Sequence, residues 1–124
     1  MIKAPFILIV EDDSWLAEQY ARTLKQANMQ SAWVEHAIGA MDMIDTHRPD
    51  AIILDVLLTG QTAFTLLHEL RSHADLSSIP VILCTNTASD LPVEDLMSYG
   101  VRQVLDKATM TPQDIVAAIK KVLP

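Results

Sequence analysis

The sequence predicts a doubly wound α/β domain: a five-stranded parallel sheet with five helices covering both of its faces. Three observations carry that expectation. Apolar runs of strand length alternate with helical patterns from one end of the 124 residues to the other. Three of the runs have no polar alternation, as strands buried on both faces require. The connections are short, with no repeat, low-complexity tract or linker between them.

Taken in order, Phe6–Val10 is the first continuous apolar run. Leu16, Tyr20, Leu24 and Ala27 follow at spacings of four and three, one stripe of a helix capped by Asp13 or Ser14. Ser31–Glu35 is a weaker strand with polar interruptions. Ile38, Met41 and Ile44 mark a second helix, which has to stop before Arg48-Pro49 because proline disfavours a helical residue ahead of it. Ala51–Leu54 is the next apolar run, and Phe64, Leu67, Leu70 and Arg71 trace a third helix. Val81–Cys84 follows Pro80. A short helix is expected from about Pro92 to Tyr99, ended by Gly100. Val101–Leu105 is another interrupted strand. The last helix has the clearest start: Thr111-Pro112-Gln113-Asp114 sets a capping residue, a first-turn proline and an acid three residues on. Ile115, Ile119 and Val122 are its buried stripe.

Composition narrows the function. Half of the residues are apolar, enough for a core that hides roughly two-thirds of the unfolded surface. The net charge is −7, and four basic against nine acidic residues leave −5 of it in the first sixty. Duplex binding needs a basic face, so a nucleic-acid partner is not expected. Gly39, Gly60 and Gly100 cannot write a glycine-rich phosphate loop. One cysteine excludes a disulfide framework or a cysteine-based zinc site. No apolar run approaches the roughly 20 residues that span a bilayer, and the N-terminus has no signal-peptide layout. A small acidic cytoplasmic domain with no membrane partner is the expectation, its 124 residues forming one unit.

In a sheet of this kind the functional groups collect beyond the carboxyl ends of the strands. The first strand ends in Glu11-Asp12-Asp13, the third in Asp55, the fourth in Thr85-Asn86 and the fifth in Asp106-Lys107. Crowded carboxylates repel one another unless a cation or proton relieves them. Oxygen-only ligands favour Mg²⁺ or Ca²⁺, and a site with few carboxylates and room for water suits Mg²⁺ beside a phosphoryl group. Asp55 could act as a carboxylate nucleophile and form an acyl phosphate. Thr85 and Lys107 could hydrogen-bond and neutralise the new phosphoryl oxygens.

With Ile7–Asp13, Ile52–Asp55, Val81–Thr85 and Val104–Lys107 in place, the chain resembles the receiver domain of bacterial two-component response regulators over essentially all of 1–124. The resemblance implies a flavodoxin-like sheet in the order 2-1-3-4-5. It implies that Asp55 is the phosphoacceptor, Asp12 a direct metal ligand, Glu11 an acid acting through a metal-bound water, and the Leu57 backbone carbonyl a further ligand of Mg²⁺. Thr85 matches the switch hydroxyl and Lys107 the phosphate-contacting lysine. Asp13 lies one place beyond the acidic pair and reads as a helix cap. The implied donor is a sensor histidine kinase or a histidine phosphotransfer protein. The implied output is a phosphorylation-dependent change in binding to an unknown protein target, by a monomer or weak homodimer. No enzyme activity is implied beyond self-catalysed phosphorylation and dephosphorylation.

The chain departs from the family pattern at Thr59, Ala63, Asn86, Val104 and Ala108. Val104 stands where the family carries an aromatic switch residue. Ala108 replaces a proline with a cis bond, and a cis peptide before alanine costs about 3 kcal/mol, so a loop of another shape is expected. These departures support an alternative, a receiver-like interaction module without phosphorylation-dependent switching. A small Mg²⁺-dependent phosphatase ranks last, since Val56 and Leu57 leave no second acid after Asp55. Among the remaining residues, Lys107 could instead pair with Asp106, a contact worth at most about 1 kcal/mol if exposed. His36, His47, His68 and His73 have no ligand spacing and read as surface residues. Cys84 reads as inert core. Leu16 reads as core, and Trp15, beside the acids, as either a docking anchor or a packing residue.

Overall fold

Residue parity along the central strands organises the whole molecule. The computed structural model describes residues 3–55, 59–86 and 96–123. In chain order its elements are β1 (Phe6–Val10), α1 (Ser14–Gln26), β2 (Gln30–Val34), α2 (Ala37–Thr46), β3 (Ala51–Asp55), α3 (Thr59–Ser72), β4 (Val81–Thr85), β5 (Val101–Asp106) and α4 (Pro112–Val122). The five strands form one sheet in the order β2-β1-β3-β4-β5, every pair parallel. The doubly wound expectation therefore holds. Four helices lie among the described residues. The helix expected over Pro92–Tyr99 falls mostly outside them, with Leu96 and Met97 helical and Gly100 turning at φ +88°.

β1, β3 and β4 are buried at every position. Their side chains alternate between two cores, as the period of two demands. Leu8, Val10, Ile52, Leu54, Val81 and Leu83 pack with Ala40 and Ile44 of α2 and Leu66, Leu67 and Leu70 of α3. Ile7, Ile9, Ala51, Ile53, Ile82 and Cys84 pack with Ala17, Tyr20 and Leu24 of α1 and Ile115, Val116 and Ile119 of α4. Phe64, read as part of the α3 stripe, is exposed; Leu66 takes its place in the core.

The strand ends differ slightly from the sequence reading. β2 begins and ends one residue earlier than expected, and β3, β4 and β5 each run one residue further, into Asp55, Thr85 and Asp106. Those three polar residues are thus the last rungs of the sheet rather than loop residues. The α1 cap is Asp13, whose carboxylate accepts from Trp15 N at 2.9 Å and Leu16 N at 3.3 Å. At α4, Thr111 N donates to Asp114 Oδ2 at 2.8 Å, which realises the acidic half of the expected capping box.

Candidate functional site

At the carboxyl edge of the sheet three charged side chains converge on one side. Glu11 follows β1 in the phase of Ile7 and Ile9, Asp55 ends β3 in the phase of Ile53, and Lys107 follows β5 in the phase of Leu105. All three therefore face the α1–α4 side. Glu11 and Asp55 are almost completely buried. Lys107, its side chain 9% exposed, bridges them: Nζ lies 2.8 Å from Glu11 Oε1 and 2.7 Å from Asp55 Oδ2. Carboxylate oxygens of Glu11, Asp12 and Asp55 come within 4.8 Å of one another, with Asp12 exposed. That spacing and all-oxygen donor set fit a small hard cation.

The walls form a cleft of about 370 Å³ lined by Glu11, Asp12, Asp13, Leu16, Tyr20, Asp55, Asn86, Lys107 and Met110. Backbone contacts fix its rim. Glu11 N donates to Val34 O at 3.2 Å, and the Trp33 indole Nε1 donates to Glu11 O at 2.6 Å. Lys107 N donates to Thr85 O at 2.9 Å, which sets the root of the lysine side chain. Beyond it, Asp106 folds the loop, accepting from Ala108 N at 2.9 Å through Oδ1 and from Met110 N at 2.8 Å through its carbonyl. No cis peptide occurs among the described residues.

Electrostatics follow from this burial. Desolvation pushes Glu11 up from 4.5 to about 8, with the hydrogen bond to Asp55 adding to the rise and Lys107 opposing it. Burial alone would lower Lys107, but its hydrogen bonds to Asp55 and Glu11 outweigh that and raise it. Near neutral pH the cleft thus relieves its crowding with the Lys107 ammonium and a proton on Glu11. A divalent cation would compete for that proton's place.

Most of the residues expected at the site do meet there. Glu11, Asp12, Asp55 and Lys107 converge, and Lys107 pairs with the buried acids rather than with Asp106. Asp13 caps α1 as expected. Thr85 is at the same edge and fully buried as the last residue of β4, with Lys107 N donating to its carbonyl. Leu57 lies outside the described residues. Leu16, read as core, is half-buried and lines the cleft. Trp15 stands 64% exposed at the start of α1, and all four histidines are exposed. Cys84 is sealed in the core, where burial pushes its thiol up to about 12.

Sequence reasoning missed Tyr20 and Trp33. Tyr20 was legible only as a stripe residue, although it falls one turn after Leu16 and so shares its outlook on the acids. Trp33 sits opposite Ile9 in the β1–β2 register, one pair before the strand runs into Glu11. No motif announces that role.

A family model for the response regulator receiver domain matches residues 7–120. The transcriptional regulatory protein BaeR of Escherichia coli is 28% identical over 119 residues, covering 96% of this chain and 48% of that protein. The chain spans about half the length of the curated relatives it matches. The receiver domain of a signal transduction histidine kinase from Syntrophus aciditrophicus is 30% identical, with a TM-score of 0.84, covering 97% of this chain and 90% of that one. The receiver domain of a Pseudomonas aeruginosa sensor histidine kinase, solved with magnesium coordinated in its active-site cleft, shares the fold at a TM-score of 0.82 and 21% identity, covering 96% and 97% of the two chains. This chain belongs to the response regulator receiver family, the phosphoacceptor domains of two-component signalling.

Proposed function

From that membership we propose that Asp55 is the residue that accepts the phosphoryl group, and that residues 1–124 act as one receiver domain. The single observation that carries this reading is the convergence of three carboxylates within 4.8 Å around a lysine that bridges two of them. One oxygen of Asp55 attacks phosphorus as the bond to the donor's imidazole nitrogen breaks, and the imidazole leaves with that electron pair. Mg²⁺, held by Asp12 and Asp55 with the Leu57 carbonyl as a further ligand and Glu11 acting through a metal-bound water, would supply the charge neutralisation that lets two anions meet. Glu11 must give up its extra proton when the cation is held. Lys107, freed from Asp55 Oδ2 by phosphorylation, keeps its ammonium within reach of the new phosphoryl oxygens. Thr85 acts from the last rung of β4 as the residue that reads the phosphoryl group.

The donor is a phosphohistidine on a sensor kinase or phosphotransfer protein. Trp15, exposed beside the cleft, is its docking anchor. The modified site adds about two negative charges to an acidic edge, which shifts a conformational equilibrium and alters binding to a protein target. Described residues contain no helix long and apolar enough to cross a membrane, which fits work in the cytoplasm. A second reading, an interaction module without phosphorylation-dependent switching, is favoured by Val104, an aliphatic side chain packed against the α2–α3 core where an aromatic switch would stand.

Incubation with Mg²⁺ and a small phosphodonor separates the two. Intact-mass analysis should show one added phosphoryl group on the wild-type chain and none on Asp55→Asn. Absence of the adduct from both proteins would leave only the interaction module.

A further inference from the structure

The cleft has a buried polar group that neither the fold nor the phosphoacceptor reading uses. Tyr20 lies on α1 one turn after Leu16, is 5% exposed, and lines the cleft beside Glu11 and Asp55. Its ring belongs to the α1–α4 core. Its hydroxyl has no hydrogen-bond partner among the described residues. Phenylalanine would fill the same space without burying a hydroxyl, so a lone phenol is a cost that the apolar core does not explain. Burial keeps the phenol protonated, with the Cys84 thiol and the Glu11, Asp55 and Asp13 carboxylates adding to the effect. A neutral hydroxyl can accept one hydrogen bond while donating its own proton. Mg²⁺ keeps several of its waters when it is bound by carboxylates, and such waters are strong donors.

We propose that Tyr20 is a positioning residue of the acid cleft, its hydroxyl accepting a hydrogen bond from a water of the divalent cation held at the Glu11, Asp12 and Asp55 cluster. This rests on the reading of the cleft as a Mg²⁺ site. It makes the cation's hydration shell part of what this chain recognises, and it assigns the buried phenol a function that appears only when the cation is present.

The test is a series of thermal melts of the full chain across Mg²⁺ concentrations, with ionic strength matched by KCl, for wild type, Tyr20→Phe and Asp12→Asn. Ligand-dependent stabilisation then reports affinity by mass action. Tyr20→Phe should melt at or above the wild-type temperature without Mg²⁺. It should need roughly three- to tenfold more Mg²⁺ for the same upward shift, the size of one neutral hydrogen bond. A metal-free melting temperature below wild type would overturn the proposal, because the hydroxyl would then already serve the fold. An unchanged Mg²⁺ dependence would overturn it as well. A wild-type chain with no Mg²⁺ shift beyond the KCl control, or a shift retained in full by Asp12→Asn, would instead overturn the cation site and the inference with it.

Discussion

The two faces of the sheet are built from the same strands and behave as different materials. On the α2–α3 face, the central strands present Leu8, Val10, Ile52, Leu54, Val81 and Leu83, an aliphatic layer that ends where the strands end. On the α1–α4 face the alternate residues begin the same way and then run into Glu11, Asp55 and Lys107, with Tyr20 and Cys84 among them. A shift of one residue separates a packing position from a chemical one. The same strands carry both faces, so the packing of the aliphatic layer also fixes where the charged side chains emerge.

The largest expected effect breaks the comparison at adjacent residues. Leu54→Ala, on the aliphatic face, should cost about 2–5 kcal/mol of stability, read from urea unfolding. Its folded fraction should still take up the phosphoryl label that Asp55→Asn loses. Loss of the label from folded Leu54→Ala would mean that the faces are not separable. The next effect concerns pH. Glu11 binds its proton more tightly in the folded chain than in the unfolded one. Its contribution is therefore fully present below pH 4.5 and is lost as pH rises through about 8. Metal-free stability should fall across that window, while the stabilisation gained from added Mg²⁺ should grow. Glu11→Gln should flatten both trends, and pH-independent Mg²⁺ shifts in the wild type would contradict the assignment. The smallest effect lies outside both layers. Trp15→Ala should change stability by no more than about 0.5 kcal/mol and leave labelling by a small phosphodonor intact. Transfer from a phosphohistidine protein should slow in single-turnover assays; an equal rate would remove Trp15 from the docking surface.

How much of this was legible depended on burial from both sides. Phe6–Val10 could be read to the residue because a strand covered on two faces has no polar position to blur its limits. The edge strand Gln30–Val34, partly exposed along its length, was displaced by one residue for the opposite reason. Glu11, Asp12, Asp55 and Lys107 were legible because charges at the ends of apolar runs have few structural explanations. Tyr20 was not, since a tyrosine in a helical stripe looks the same whether its hydroxyl is wet, paired or sealed against an acid pocket. Thr85 shows the converse limit. Its place at the strand end was clear from sequence, whereas its complete burial was not, since a strand-end hydroxyl reads the same whether wet or sealed.

The bond from the Trp33 indole to the Glu11 carbonyl has an optical consequence. The chain has two tryptophans, and both border the acidic edge, Trp15 at the first turn of α1 and Trp33 on β2. Nearly all ultraviolet emission excited at the red end of the absorption band therefore originates from one indole on the helix that Asp13 caps and one hydrogen-bonded to the Glu11 carbonyl. With Trp15 replaced, one indole remains, its N–H tied directly to the backbone of residue 11. Whatever enters the cleft and shifts that residue would change the colour or yield of the protein's own light, so the chain carries a label-free sensor of its occupancy.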